Sequence, residues 1–387
     1  MEEQQKVSVT ELDAAANRPV LARDVVAAPV IIESIDLLYN GRFYTVRARS
    51  RDGAEGIAVT NDKVAYLYPI LTKQVIPFFI GKDARDLEGL LEGVFVVNNN
   101  YKLAGLALWC CIAWVEFSLL DLLGRIVGKP VAQLFGKQLR TEIPIYVASG
   151  RRDTTPEQEV EILQARMAET GARAVKFKVG GRMSKNADAM AGRTEGLIRL
   201  SRRVLGEQTT IHADGNGSYD PPQAIKIGRM LEEIDAYFYE EPCPFDHLED
   251  TKEVADALTI PVAGGEQETS LRRFRWMIAG NAVQVVQPDL HYNGGLIRTI
   301  RVARMAEAAG KPITLHISSG LCYLQMLHFA AIIPNSGAFQ EFKTGIEETG
   351  SFFDPPLSAR DGKVSVPSRP GWGLADTKEL LHNARLV

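Results

Sequence analysis

Cysteine is scarce in this sequence: four residues in 387, at Cys110, Cys111, Cys243 and Cys322, with no CxxC pair. That usage fits a reducing compartment and excludes a disulfide-stapled scaffold. Blocks rich in lysine and arginine are missing as well, and the net charge is -4. Nucleic acid and anionic membrane surfaces are therefore not expected as partners. The longest apolar stretch, around Leu103 to Val115, is too short and too interrupted to cross a bilayer. Residues 1–29 carry no basic segment followed by an apolar one, so a cytoplasmic location is expected, an export signal already removed being the alternative. What remains is an ordinary globular composition, 45% hydrophobic and 24% charged, rich enough to bury a sizeable core. The length suits two or three domains, or one barrel with an attachment.

Residues 1–29 read as an extension with no assigned element. From Val30 to about residue 140 the pattern is that of an α+β unit. Asn40-Gly41 and Asp52-Gly53 break apolar runs into an antiparallel meander. Helical spacing follows at Ala84 to Gly93 and Leu103 to Gly124, the second so apolar on several faces that it must be buried. From 141 to 355 the chain alternates between strands and helices. The strand-like runs are IPIYVASG, AVKFKVG, TTIHAD, AYFYEE, IPVAGGE, AVQVVQPD, PITLH and GAFQEF. Eight βα units in about 210 residues predict an α/β fold of TIM-type (β/α) barrel form rather than an open doubly wound sheet. No GxGxxG follows the first strand, which removes the main reason to expect dinucleotide binding.

Three of those strands stop abruptly at a carboxylate: Asp214, Glu240 and Glu266, each 26 residues after the last. The interval is about one strand, one helix and two loops, so it sets equivalent strand ends side by side. Three carboxylates meeting at one rim repel unless a cation sits between them, and oxygen ligands suit Mg, Mn or Ca. The ordinary alternative for any one of them is a helix N-cap. The other strand ends carry Lys176 and Lys178, Glu241, Asp289, His316 and Glu341. The C-terminal rim of a barrel is where catalytic groups collect. Lys176 and Lys178 share a strand face, and buried there they need carboxylates to pair with. Asp289 is a candidate partner for His316, the usual way an imidazole is made a base. Glu241 is expected only to form a salt bridge or a cap.

Taken together, KFK at 176–178, HADGNG, YEEP, GGEQ, QPD at 287–289 and TLHIS at 314–318 resemble the mandelate racemase subgroup of the enolase superfamily. The resemblance covers nearly the whole chain. It implies that residues 30–140 and the tail 356–387 form a capping domain over the barrel at 141–355, with loops that set specificity. It implies that Asp214, Glu240 and Glu266 hold Mg2+, with Mn2+ as the alternative, and that Lys178 is a base on one face of the substrate's α-carbon. His316 with Asp289 would then serve the opposite face, Lys176 would help neutralise the substrate carboxylate, and Glu341 would hydrogen-bond the enolate oxygen. Asn216 joins them as a substrate contact. Sites of this superfamily use a Lys or His base with Mg2+. The expected substrate is a small carboxylate, a sugar acid above all, and the expected assembly a homo-oligomer. Dehydration to a 2-keto-3-deoxy acid is the expected reaction. Racemisation or epimerisation by the same two bases is the alternative, and a non-catalytic binding barrel the third reading.

Overall fold

The computed structural model describes residues 7–317, 320–343, 345–346, 352–353, 356–375 and 377–387; Ser318 of the TLHIS motif lies outside them. The two glycine turns act as expected. They join β1 (Ile32–Tyr39), β2 (Tyr44–Ser50) and β3 (Glu55–Val59) into an antiparallel meander. Gly41 takes φ 94°, and the Asn40 side chain accepts the N–H groups of Arg42 and Phe43 at 2.9 and 2.7 Å, a local bond that holds the reversal.

Helix Leu106–Ile126 packs on this meander. It passes so close that a Cβ on Gly56 would collide with the backbone of Ser118 and Leu122. The apolar run is longer than the stretch seen in the sequence. At 21 residues the helix could cross a membrane by length and composition, yet 89% of its most apolar window is buried inside the protein. Its buried Asp121 is satisfied there: it accepts the N–H groups of Ile57 and Trp372, both at 2.8 Å, and pairs with Arg125 at 2.6 Å.

Two helical segments were not foreseen. Val9–Ala16 is a helix with a capping box between Ser8 and Glu11, and it packs on helix Leu296–Ala308. Residues 64–79 are helical with a π turn at Leu71–Val75, and Pro69 lies inside the first turns. Proline removes a helical N–H and clashes with the preceding turn, which is why the segment did not read as helix.

The second sheet is parallel where the alternation of strand and helix predicts it. Its strands are β4 (Glu142–Ala148), β5 (Ala174–Lys178), β6 (Thr210–Asp214), β7 (Phe238–Glu240), β8 (Val262–Gly264), β9 (Val285–Val286) and β10 (Gln340–Lys343). β10 pairs with β4, and the order then follows the sequence to β9. The expected seventh strand, PITLH, makes no ladder: single parallel bridges tie Ile313 to Val286 on one side and to Ser336 on the other, with another between Asp289 and His316. Of the tail, β13 (Arg385–Leu386) pairs with β1 in the meander. β11 (Ala359–Arg360) and β12 (Lys363–Ser365) go elsewhere, adding antiparallel to the lower part of β4.

Buried histidines make this packing sensitive to acid. His328, in helix Tyr323–Ala330, accepts the N–H of Ala132 at 3.2 Å through Nδ1 and faces the carbonyl of Trp372 at 3.3 Å through Nε2. His291 accepts the Trp114 indole N–H at 3.1 Å. Burial pulls both down from 6.5 to about 4. A folded-state pKa below the unfolded one means stability that is full above 6.5 and is lost as pH falls toward 4. Between pH 7.5 and pH 5 the urea midpoint of His328→Asn should therefore rise relative to that of the parent, because the variant no longer carries this group that acid must charge. A constant difference between the two would remove His328 from the explanation.

Candidate active site

The parallel register lines up the chemistry. Lys178 on β5 lies opposite Asp214 on β6, and Asp214 lies opposite Glu240 on β7. Glu266 follows two residues after β8. The chain leaves each of these strand ends through a left-handed backbone conformation, at Asn216 (φ 42°), Glu241 (φ 40°) and Gly265 (φ 117°). Non-glycine residues in that region cost about 1–3 kcal/mol each and persist where the surroundings demand them, often at functional sites. These turns aim the carboxylates of Asp214, Glu240 and Glu266 at one point, with one ligand oxygen from each within 4.8 Å of the others. All three residues are buried, and Glu240 Oε1 and Glu266 Oε2 have no hydrogen-bond partner. Buried carboxylate oxygens left without partners are costly. A small hard cation fits this donor set, and these three residues would hold it.

Positive side chains crowd the same point. Lys178 Nζ lies against Asp214 Oδ2. Lys176 Nζ sits 2.7 Å from Glu240 Oε2 and 2.9 Å from Glu341 Oε1. Burial pushes the Asp214 carboxyl up, but Lys178 and Lys176 outweigh it and hold the group below its ordinary range. For Glu240 the balance goes the other way: burial and the neighbouring Asp214 charge lift it to about 8 against the pull of Lys176. At the far end of the row, His316 Nε2 is 3.7 Å from Glu266 Oε2, and His316 Nδ1 is 2.8 Å from Asp289 Oδ2. Burial lowers His316, while Glu266 and Asp289 raise it by more, leaving it above its usual value. Asp289 is held in turn by the backbone N–H groups of His291 and Tyr292, at 2.7 and 3.1 Å.

The structure thus brings Lys176, Lys178, Asp214, Glu240, Glu266, Asp289, His316 and Glu341 into one cluster. Asn216 joins it, its Nδ2 donating to Asp214 Oδ2 at 3.3 Å. One expectation changes. Glu241 has no ion pair among the described residues; it is buried, its Oε1 has no partner, and burial with Glu266 and Asp214 nearby lifts its carboxyl well above the ordinary range. Glu341 is buried as well, but Lys176 and Lys343 override the burial and hold its carboxyl well below the ordinary range.

Several contributors were missed. Lys343 Nζ stands 3.0 Å from His316 Nε2 and 3.2 Å from Glu341 Oε2. It lies two residues after Glu341, on the same strand face, the spacing that marked Lys176 and Lys178. Gln287 donates to Glu240 Oε2 at 3.1 Å and was visible in QPD. Arg152 and Arg182 both donate to Asn216 Oδ1, at 2.9 and 3.2 Å, and no motif pointed to them.

Residues 158–379 match the family described as enolase C-terminal domain-like. The arabinonate dehydratase of Saccharolobus solfataricus is 27% identical over 327 residues, which is 83% of this chain and 81% of that one. A crystal structure from Roseobacter denitrificans, named provisionally as a racemase, is 35% identical with a TM-score of 0.86 and covers 92% of this chain and 99% of that chain. The mandelate racemase/muconate lactonizing protein of Paracoccus denitrificans PD1222, solved with magnesium, shares the fold with a TM-score of 0.84 at 24% identity, over 92% of this chain and 99% of that chain. With the profile spanning more than half of its length and the strand-end motifs in place, this chain belongs to the enolase superfamily, in the mandelate racemase branch.

Proposed function

We propose that this protein is a Mg2+-dependent dehydratase that removes water from a sugar acid to give a 2-keto-3-deoxy acid, with Mn2+ able to take the place of Mg2+. One observation carries the reading: Lys178 and His316 stand at opposite ends of the row of carboxylates, one against Asp214 and the other beside Glu266. Two proton-transfer groups flanking a metal-bound carboxylic acid suit chemistry at its α-carbon. A bound Mg2+ supplies positive charge beside the substrate carboxylate as negative charge develops there.

The protein's own groups do the rest. Lys178 takes the α-proton to leave an enediolate, and the electron pair of that enediolate then forms the C=C bond to the β-carbon as the β-carbon–oxygen bond breaks. His316, held by Asp289, gives its proton to the departing hydroxyl, which leaves as water. The enol then tautomerises to the 2-keto acid. Lys176 lies close enough to Glu240 and Glu341 to place its charge on the substrate carboxylate. We read the single bridges at Ile313 as the closure of a (β/α) barrel, the meander with its long helix as its cap, and the assembly as a homo-oligomer.

A racemase or epimerase is the second reading, favoured by the same pair of bases and by the name given to the Roseobacter structure. The test is incubation with Mg2+ and a panel of mono- and diacid sugars, reading the 2-keto product as its semicarbazone. Product from at least one sugar acid is expected. No product from any of them, with α-proton exchange into deuterated water for some hydroxy acid, would hand the assignment to the racemase.

A further inference from the structure

A second charged feature lies beside the carboxylate row and plays no part in the chemistry above. Arg152 follows β4 and Arg182 follows β5, so both sit in loops at the rim where β5 and β6 deliver Lys178 and Asp214. Arg152 donates through Nε to the carbonyl of Gly180 at 3.0 Å and through Nη2 to Asn216 Oδ1 at 2.9 Å. Arg182 donates through Nη2 to the same Oδ1 at 3.2 Å. Two guanidinium groups therefore share one neutral amide oxygen. The other end of that amide donates to Asp214 Oδ2 at 3.3 Å and to Glu241 Oε2 at 3.5 Å.

Among the described residues, neither arginine has a carboxylate within ion-pair distance, and Nη1 of both and Nε of Arg182 have no hydrogen-bond partner. Arg47 pairs with Asp36 at 3.0 Å and Arg301 with Glu88 at 3.2 Å, whereas half-buried Arg152 and exposed Arg182 hold only neutral oxygens. The backbone is also shaped to hold the pair, with Arg182 at φ 62° and Asn216 at φ 42°. Two like charges drawn together on a neutral acceptor, with donor atoms to spare, are stabilised by an anion. The guanidinium fork matches a carboxylate bidentately. Burial lowers the Arg152 guanidinium from its ordinary value, with the charges of Asp214 and Arg182 pulling in opposite directions.

We infer that Arg152 and Arg182 form a second carboxylate-binding point one amide away from Asp214, and that the preferred substrates are sugar diacids, with one carboxylate at the metal ligands and the other on this pair. The inference rests on the sugar-acid reading above and narrows it. Asn216 then has a definite job as the spacer between the two ends, orienting both guanidinium groups with its oxygen and the first metal ligand with its nitrogen.

The test uses matched pairs that differ only at the far carbon, gluconate with glucarate and galactonate with galactarate, and takes the diacid-to-monoacid ratio of kcat/KM. The reaction followed is dehydration or, if none occurs, α-proton exchange in deuterated water, so the ratio is read under either reaction. Wild-type protein should prefer the diacid of a reactive pair by tenfold or more, and Arg152→Gln with Arg182→Gln should bring that ratio down to about one. The loss should fall on KM rather than kcat, and Arg152→Lys with Arg182→Lys should restore part of the preference. Circular dichroism and Mg2+-induced thermal shifts check that the variants fold and keep the metal site. A wild-type ratio near or below one, or a preference that survives the double Gln variant, would overturn the second carboxylate site while leaving the dehydratase standing. Lack of reaction with every acid of both kinds would overturn both.

Discussion

Lys178→Ala should lower kcat by about 10²–10⁴-fold, the usual contribution of a positioned acid or base, and His316→Asn should do the same. The two groups act in one sequence of proton transfers, so combining the variants should cost less than the product of the single losses. Isotope exchange separates their roles. If Lys178 removes the α-proton, Lys178→Ala loses exchange of that proton with deuterated water, whereas His316→Asn keeps it and loses elimination. Exchange that persists unchanged in the double variant would rule out both as the bases.

The second large effect concerns the cation. Stripping the protein with a chelator should abolish turnover, and Mg2+ at a hundred times its dissociation constant should stabilise the folded state by about 2.7 kcal/mol, a thermal shift on the order of 5 °C for a chain of this size. Glu240→Gln with Glu266→Gln should lose both the activity and the shift. Without the cation the same variant should be no less stable than the parent, because two of the crowded carboxylates have become neutral. That crossing of the two stabilities is the useful signature, since a purely structural role for the carboxylates would make the variant weaker under both conditions. An equal Mg2+ shift in the variant and the parent would move the metal site elsewhere.

The acidic triad was legible because it depends on short-range grammar. Each carboxylate ends an apolar run, and a parallel sheet turns equal spacing in sequence into adjacency in space. Lys178 beside Asp214 and Asp289 beside His316 followed from the same logic. Arg152 and Arg182 were not legible, since their meeting on Asn216 depends on left-handed turns in two loops and on the direction of long side chains. Lys343 could have been found by applying the Lys-x-Lys argument to the last strand. The helix at Val9–Ala16 carries its own signal in Ser8 and Glu11, which form its capping box. Residues 64–79 did not, because Pro69 and Pro77 read as interruptions, and the packing that overrides them lies far along the chain. The seventh strand shows the opposite failure: PITLH has strand composition, yet its position between Val286 and Ser336 is marked only by single bridges.

The long buried helix has one more consequence. Trp114 on it donates to His291, the His291 N–H donates to Asp289, and Asp289 holds His316. Glu116 on the same helix accepts the N–H of Ile297 at the start of helix Leu296–Ala308. Sequence drift in this helix is therefore not free to retune substrate choice alone. A change that tilts it by a fraction of a turn reaches the imidazole through three hydrogen bonds, so new specificities in this lineage are easier to evolve in the loops than in the element that carries them.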